Sequence, residues 1–341
     1  MNRFFILPAL AVTALSVLLL IPSIVSATVD MDECILALIE SARDSATIGE
    51  LRNSCRSGEP LAASQITSEE ASVPVYERSV IEERFEAERA VEQRPFVITP
   101  HNPNFVMATY NDNPNQAPFE AVSGINKPLD DSEMKFQISI KAPIWRSILG
   151  SNLDAYFAYT AASWWQLGND DVSSPFRETN YEPEFFLRSF SDYEFLGMNM
   201  AGWSLGFNHQ SNGRAEPLSR SWNRLMGRVG LELNDELTLL IRAWYRFPED
   251  AENDNNPHMH RYYGYGDVRA IWTPNRNTFT ALLRPGTDKT SVEVTWSYPI
   301  SRVFRVYAQY YNGYGESMID YDYDNQRFGI GIAMNDYLMR Q

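Results

Sequence analysis

The sequence has few cysteines, an excess of acidic over basic residues, and no long apolar run beyond its first 27 residues. Its 341 residues include 2 cysteines, and 29 lysines and arginines stand against 44 aspartates and glutamates, for a net charge of -15. This acidic balance offers no basic surface for phosphates, so we predict no nucleic-acid binding. A mean hydropathy of -0.34, with no apolar run of spanning length after Ala27, argues against a bundle of transmembrane helices.

Aromatic side chains, by contrast, are abundant. The chain has 18 tyrosines, 18 phenylalanines and 8 tryptophans, which together make up 13% of its residues. A hydrophobic content of 44% excludes an intrinsically disordered chain. A chain that is aromatic-rich yet polar on average, and that begins with a secretion signal, is typical of an outer-membrane β-barrel, in which only alternate residues meet lipid.

The first 27 residues have the pattern of a signal peptide. Arg3 precedes an apolar stretch that ends in Val25-Ser26-Ala27, a small-residue cleavage site. We therefore predict a cleaved secretory signal over 1–27, with an uncleaved N-terminal helix as the alternative.

Residues 28–95 form a segment rich in glutamate and poor in aromatics, which we predict to be a small helical extension in the periplasm. It contains Cys34 and Cys55, each within a short amphipathic helical pattern. In an oxidising compartment this pair is expected to form a disulfide across a helical hairpin. A metal site is disfavoured because no histidine lies near the two thiols. Residues 76–93 carry a Glu/Arg-rich pattern that predicts a solvated linker helix.

From about residue 100 onward the hydrophobic pattern has a period of two. Residues 134–144, 291–298 and 328–334 alternate between an apolar and a polar or small-residue face, which predicts strands. Their length and aromatic ends favour a membrane barrel over a soluble sandwich. We predict an all-β domain over 96–341, an antiparallel transmembrane barrel of about twelve strands, an even number as in bacterial barrels. The strands are expected to begin near Phe105, Met134, Asn152, Asn180, Asn199, Ser219, Glu236, Arg261, Arg276, Thr287, Arg302 and Gln326.

The predicted connections alternate between long polar loops and short turns such as Pro274-Asn275. Outer-membrane barrels have short periplasmic turns and long external loops. The pattern therefore predicts that both ends of the chain, and the extension with them, lie in the periplasm.

The strand from Trp203 to Ser211 has an apolar odd-numbered face, which we expect to meet lipid. His209 and Ser211 lie at the external end of that face. On the following strand, Asn223 has the same parity as the apolar positions. The even positions of that strand carry charges that need a wet lumen, namely Arg220, Arg224, Arg228 and Glu232.

If the intervening loop centres near Glu216, residue 209 lies opposite residue 223, within about 5 Å. Ser211, His209 and Asn223 can then form one chain of hydrogen bonds. An imidazole must take the proton of a serine hydroxyl to make it nucleophilic, and a third polar group fixes the imidazole tautomer. The alternative is that His209 only anchors the interfacial girdle. Three polar side chains on a lipid-facing wall are costly, which favours catalysis.

At these residues the sequence resembles the outer membrane phospholipase A family, from about residue 96 to 336. The matching stretches are Ser163-Trp-Trp-Gln-Leu167, Ser173-Ser-Pro-Phe-Arg-Glu-Thr-Asn-Tyr-Glu-Pro183, Asn208-His-Gln-Ser-Asn-Gly-Arg214, Ser219-Arg-Ser-Trp-Asn-Arg224 and Gly313-Tyr-Gly-Glu-Ser317. The resemblance implies a twelve-stranded barrel with a Ser-His-Asn triad on its outer wall. It makes Ser211 the nucleophile, His209 the general base and Asn223 the residue that orients it.

The resemblance also implies a calcium cofactor and a homodimer. The backbone amide of Gly213 takes the oxyanion position, and the calcium ligands fall at Arg214 and Ser219 of one subunit and Ser173 of the other. Oxygen ligands of this kind suit calcium. Two departures from the family are a loop, 252–257, in which Asp254 or a neighbour would have to serve a second calcium position, and a chain that continues past its last aromatic residue, Tyr337.

We therefore expect a calcium-dependent hydrolase of phospholipid acyl esters, a phospholipase A1 and A2 that also acts on lysophospholipids. It would act as a dimer in the outer leaflet of the outer membrane of a Gram-negative bacterium. Two other classes remain open. A passive pore is favoured by the charged lumen, although in a narrow barrel such residues are expected to pair and fill the interior. A receptor or adhesin would use the long loops, but no specific motif supports it.

Overall fold

The computed structural model describes these parts of the chain: 34–35, 48–57, 79–92, 94, 97–195, 197–252 and 254–339. The chain divides into two units, 1–75 and 76–341. The predicted signal peptide lies outside the described residues. None of the described helices is long and apolar enough to cross a bilayer.

In the first unit the described structure is one helix and one covalent link. Helix α1 (Ile48–Ser57) carries Cys55, which forms a disulfide with Cys34. The predicted disulfide is therefore confirmed. Apart from Cys34 and Ile35, the helix predicted around Cys34 lies outside the described residues.

The second unit is a closed antiparallel barrel. Twelve strands, β2 to β13, pair in sequence order, and the last strand pairs with the first, so that the sheet closes on itself. The two-residue strand β1 adds to one end of β3. The predicted twelve-stranded barrel is confirmed. The strands are β1 (Thr99–Pro100), β2 (Phe105–Tyr110), β3 (Ser132–Trp145), β4 (Leu153–Trp165), β5 (Phe176–Phe195), β6 (Met198–Ser211), β7 (Ser221–Asn234), β8 (Leu237–Arg246), β9 (Gly266–Trp272), β10 (Thr278–Pro285), β11 (Thr290–Pro299), β12 (Arg305–Tyr314) and β13 (Asp324–Ala333).

Among the described residues of this unit there are three α-helices: α2 (Val80–Glu92), α3 (Ala117–Ser123) and α4 (His260–Tyr263). Helix α4 explains the largest error in the predicted strand starts. The strand expected near Arg261 begins only at Gly266, because the polar residues before it form this short helix instead.

Alternation along each strand separates an apolar outer wall from a polar interior. On β13, Phe328 is 53% exposed on the outside of the barrel, whereas its neighbour Arg327 is buried inside. On β11 the inward Ser297 is fully buried. This is the arrangement of a barrel in lipid, in which apolar side chains face outward and polar ones inward.

The connections at one end of the barrel are short, and most of those at the other end are long, as predicted. Only two residues separate Asn234 of β7 from Leu237 of β8. At the opposite end the loops include 111–131, 247–265 and 315–323. The short-turn end is also where helix α2 sits, because Glu92 of α2 pairs with Arg146 in the turn after β3 at 2.7 Å.

Helix α2 packs against the inside of the barrel, which corrects the prediction of a solvated linker. Val80 and Ile81 are buried in a cluster that includes Ile271 and Leu338. Helix α2 therefore belongs to the same compact unit as the barrel, residues 76–341. A Glu/Arg-rich pattern predicts a helix that faces water, but a barrel lumen is itself lined with charges and can bury such a helix face.

Glu88 is the main ionic contact between α2 and the barrel wall. Its carboxylate pairs with Lys141 at 2.7 Å, with Arg188 at 2.9 Å and with Arg84 of the same helix at 3.0 Å. Burial alone would raise the pKa of Glu88, but these three cations outweigh it and hold the pKa well below its usual range.

Replacing Glu88 with glutamine is expected to lower the free energy of unfolding at neutral pH by about 3 kcal/mol, because it leaves buried cations without their partner. A depressed carboxyl pKa stabilises the fold above its ordinary value, and this contribution is lost on acidification. The difference between wild type and Glu88→Gln should therefore be constant above about pH 5 and shrink as the pH falls below it. Denaturant unfolding followed by tryptophan fluorescence tests this. Glu83→Gln, on the exposed face of α2, is the control, and equal midpoints for both variants would contradict the assignment.

Candidate active site

Strands β6 and β7 bring the predicted site residues together. His209 lies directly opposite Asn223, and Ser211 lies opposite Ser221. This is the register predicted from a loop centred near Glu216. The hydrogen bonds of the antiparallel ladder thus place a histidine and an asparagine side by side at the long-loop end of the barrel.

These side chains lie on the outer wall of the barrel. Along β6, Phe207 is 59% exposed, whereas Asn208, the next residue, is 2% exposed. His209 and Ser211 have the same parity as Phe207, and Asn223 is exposed on the neighbouring strand. The predicted outward orientation is therefore what the structure has.

His209 and Asn223 are hydrogen-bonded to each other. His209 Nδ1 and Asn223 Oδ1 are 2.9 Å apart. Because an amide oxygen only accepts, Nδ1 must carry the proton, which leaves Nε2 as the acceptor in the neutral ring. Ser211 lies two residues further along the same face, and the structure shows no hydrogen bond between its hydroxyl and His209 among the residues it describes. Such bonds are often long in a site without substrate.

The inner face of the same two strands is held by a polar network. Arg224 donates to Asn208 Oδ1 across the strands at 2.9 Å and pairs with Glu182 at 3.0 Å. Trp222 donates to Gln210 Oε1 at 2.9 Å. These inward contacts fix the register that sets His209 against Asn223 on the outside.

Gly213 lies in the loop that follows β6, two residues after Ser211. Its φ of 65° is in the left-handed region, and a Cβ built on it would lie 3.2 Å from the ring of Tyr181. Glycine adopts this conformation without the strain that a side chain would add. Gly213 is exposed, so its main chain lies at the surface beside Ser211.

The two predicted calcium ligands on this loop differ in their contacts. The guanidinium of Arg214 donates to Glu178 at 3.3 Å and to the carbonyl of Phe176 at 2.9 Å, so it is turned away from the outer surface. The hydroxyl of Ser219 accepts a hydrogen bond from Asn255 Nδ2 at 2.8 Å. Ser173 lies in a different loop, exposed and with a left-handed φ of 62°.

The oxygen atoms of the predicted ligands Arg214, Ser219 and Ser173 are of the kind that calcium binds. Among the described residues there is no group of three or more His, Cys, Asp or Glu side chains placed to hold a metal. A cation here would depend on carbonyl and hydroxyl oxygens, which calcium accepts. The bond from Asn255 uses one lone pair of the Ser219 hydroxyl and leaves the other for a cation.

The loop after β8 contributes residues that the sequence did not single out. Asp254, the predicted candidate for a second calcium position, is paired with Arg246 at 2.7 Å. Its neighbour Asn255 instead reaches Ser219, and Asn256 Oδ1 accepts from the backbone of Ser221 at 3.1 Å. A run of Asp and Asn indicates a polar loop, but nothing in it shows which strand the loop folds back to meet.

Glu249 in the same loop is a second neighbour that the sequence did not indicate. Burial raises the pKa of this half-buried carboxyl, while Arg246, His209 and a hydrogen bond from the Asn223 side chain act to lower it. The triad region therefore borders an acidic group as well as neutral ones.

Comparison with known proteins identifies the family to which this barrel belongs. A model of the phospholipase A1 family matches residues 81–334. The phospholipase A1 of Salmonella typhimurium is 39% identical over 246 residues, which cover 71% of this chain and 83% of that protein. The Escherichia coli K12 enzyme is 38% identical over 244 residues, again 71% and 83%. The chain belongs to the phospholipase A1 family.

Solved structures give the same result. Outer membrane phospholipase A from Escherichia coli has a TM-score of 0.66 and 38% identity, and the match covers 71% of this chain and 93% of that one. A calcium-bound dimer of the Salmonella typhi outer membrane phospholipase has a TM-score of 0.66 and 39% identity, with coverages of 71% and 94%. A further Escherichia coli structure is of an active-site mutant in which an asparagine is replaced by alanine. The family match and these solved structures therefore identify the protein as a phospholipid ester hydrolase of the outer membrane.

The family match also begins earlier than the sequence indicated. It starts at residue 81, inside α2, and not near 96. Helix α2 is therefore part of the family domain as well as of the barrel unit.

Proposed function

We propose that Ser211, His209 and Asn223 form a catalytic triad on the outer wall of the barrel. In this proposal they cleave phospholipid acyl esters at both glycerol positions, as well as those of lysophospholipids, and release fatty acids in the outer leaflet. The observation that carries the proposal is the 2.9 Å hydrogen bond between His209 and Asn223 on a wall that otherwise presents apolar side chains to lipid.

The steps follow from the groups present. The Ser211 hydroxyl attacks the ester carbonyl and gives its proton to His209 Nε2, forming a tetrahedral intermediate. The amide of Gly213 donates to the oxyanion. When the intermediate collapses, His209 returns the proton to the departing glycerol oxygen and the acyl group stays on Ser211. A water molecule, deprotonated by His209, then releases the fatty acid by the same route.

An asparagine fits the third position for a physical reason. Its amide oxygen accepts from His209 Nδ1 and so holds the tautomer in which Nε2 is free. A charged aspartate on a lipid-facing wall would be costly to bury, whereas a neutral amide is less so. The Escherichia coli structure with an asparagine replaced at its active site supports this role for Asn223.

Calcium completes the proposed site. The carbonyl of Arg214, the hydroxyl of Ser219 and the partner subunit's Ser173 would hold it, and when bound it supplies positive charge beside the oxyanion. The calcium-bound dimer among the solved relatives supports both the ion and the pairing of subunits. A site shared between subunits makes activity depend on dimerisation.

The orientation in the membrane follows from the connections. With short turns in the periplasm and long loops outside, Ser211 lies toward the outer leaflet. The segment before the barrel, with its disulfide, then lies in the periplasm. An ester in that leaflet reaches the nucleophile without leaving the lipid for water.

A direct assay of the detergent-folded protein tests the proposal. Mixed micelles of phospholipid should yield fatty acids and both lysophospholipid isomers, and lysophospholipid supplied alone should also be cleaved. Release of one isomer only would limit the activity to A1 or A2. No release with calcium present, together with ion conduction in planar bilayers, would favour a pore.

Replacing Asn223 with alanine is expected to lower kcat by roughly 100-fold with little change in KM, since this residue orients His209 and does not bind the lipid. Steady-state kinetics on micelles measure both constants. Asn199→Ala, at the other end of β6, is the control and should retain the wild-type rate. A change confined to KM would mean that Asn223 contacts substrate and does not act through His209.

A further inference from the structure

The two neighbours of Gly213 in the chain turn their side chains into the barrel and meet the same carboxylate. Glu178 Oε2, on β5, accepts from Arg214 Nε at 3.3 Å and from Asn212 Nδ2 at 3.4 Å. Glu178 is 0% exposed. One buried acidic group therefore contacts both residues that flank the predicted oxyanion amide.

The other oxygen of Glu178 is fixed by a residue of the same strand and by a loop from the far side of the barrel. Oε1 accepts from Asn180 Nδ2 at 2.7 Å and from the backbone amide of Ile319 at 3.2 Å. The amide oxygen of Asn180 in turn accepts from the backbone of Met318 at 2.9 Å. The carboxylate is thus tied to the loop 315–323 and has little freedom to move.

The turn after β6 is closed by the same two side chains. Asn212 Nδ2 donates to the carbonyl of Leu218 at 2.8 Å, and its oxygen accepts from the backbone amide of Arg220 at 3.0 Å. Arg214 also donates to the carbonyl of Phe176. Both ends of the turn are held from inside, while Gly213 itself remains exposed on the outside.

We propose that Glu178 is a positioning residue that holds the Gly213 amide in its oxyanion-binding orientation from inside the barrel. This inference rests on the proposed function of Ser211 and Gly213. Gly213 has no side chain to restrain it, and glycine has the freest backbone, so its orientation must be imposed by Asn212 and Arg214. A displacement of about 1 Å in a catalytic group can lower the rate 100-fold. The contacts of Glu178 with Asn212 and Arg214, which we call the clamp, are therefore expected to affect kcat.

The cost of the arrangement supports a role beyond filling the lumen. A buried carboxylate is expensive unless it is fully paired. Neutral side chains fill other inward positions, such as Thr280 and Ser297. At Glu178 a buried acidic group is placed where it contacts the residues on both sides of one exposed amide.

The test compares Glu178→Gln with Glu184→Gln in the folded protein. Glu184 lies on the same strand and the same inner face, is equally buried and pairs with Arg228 and His101, but is remote from the Gly213 turn. We expect Glu178→Gln to lower kcat by roughly 10- to 100-fold with KM unchanged. Glu184→Gln should stay within about twofold of the wild-type rate when both variants are assayed at a temperature below their unfolding midpoints.

A double-mutant cycle keeps the proposal testable if Glu178→Gln folds poorly. Arg214→Gln removes the guanidinium and keeps the backbone carbonyl. If Glu178 acts through Arg214, the double variant should lose little more than either single variant, because both remove the same clamp. Additive losses, or losses that follow the unfolding midpoint equally in Glu178→Gln and Glu184→Gln, would overturn the proposal.

Two variants distinguish an error in the proposed triad from an error in the positioning role of Glu178. If Ser211→Ala is inactive while Glu178→Gln keeps the full wild-type kcat, the positioning role is wrong and the triad stands. If Ser211→Ala keeps its activity, the triad is wrong, and the role of Glu178 with it.

Discussion

Replacing Ser211 with alanine is expected to reduce phospholipid hydrolysis by at least about 10⁴-fold, because Ser211 is the proposed nucleophile and loss of a triad nucleophile has effects of this order. The barrel should be unaffected, since Ser211 lies outside the polar network of the lumen. Fatty-acid release from mixed micelles measures the activity. Heat-modifiable migration in gel electrophoresis shows that the barrel is folded.

The matched control for this variant is Ser221→Ala. Ser221 is the residue of β7 that pairs directly with Ser211, so the two substitutions change the same chemical group at neighbouring positions on one wall. Ser221→Ala should keep most of the activity. Substantial activity in Ser211→Ala, or equal losses in the two variants, would show that Ser211 is not the nucleophile.

Removing calcium with a chelator is expected to lower the rate by roughly 100-fold or more, and adding calcium back should restore it. The loss follows from the proposed place of the ion beside the oxyanion, whose negative charge it would stabilise. Ser219→Ala should raise the calcium concentration for half-maximal activity by roughly tenfold, since it removes one oxygen ligand. Titration of activity against free calcium measures both effects.

The fold provides the control for chelation. The strands are held by their own hydrogen bonds, so tryptophan fluorescence and heat-modifiability should not change when calcium is removed. Full activity in excess chelator would remove the metal from the mechanism. A loss that calcium cannot restore would indicate damage to the protein and not the removal of a ligand.

The fold and the pairing of His209 with Asn223 could be predicted because both depend on local alternation. Once parity assigns one face of β6 to lipid, the length of the loop around Glu216 sets the register, and the structure has that register. The outward direction of Ser211 follows from the same parity. In a barrel each strand side chain points either to lipid or to the lumen, so the alternation in the sequence predicts which way it points.

Contacts between elements distant in sequence could not be predicted. Helix α2 has a pattern typical of a water-facing helix, and only the structure shows that Glu88 meets Lys141 and Arg188 inside the lumen. The reach of Asn255 to Ser219 likewise depends on how one loop folds over another. Charged and amide side chains make equally good contacts with water and with each other, so their pattern does not reveal their partners.

The most direct measurement is covalent labelling with a long-chain alkylsulfonyl fluoride, located by mass spectrometry. In this reaction the Ser211 oxygen forms a sulfonate ester, fluoride leaves and His209 takes the proton. We expect a single adduct at Ser211, which forms much faster with the long-chain reagent than with a short water-soluble one. The adduct should not form in His209→Ala. An active protein that is not labelled at Ser211, or is labelled there equally fast without His209, would contradict a lipid-facing nucleophile activated by its neighbouring histidine.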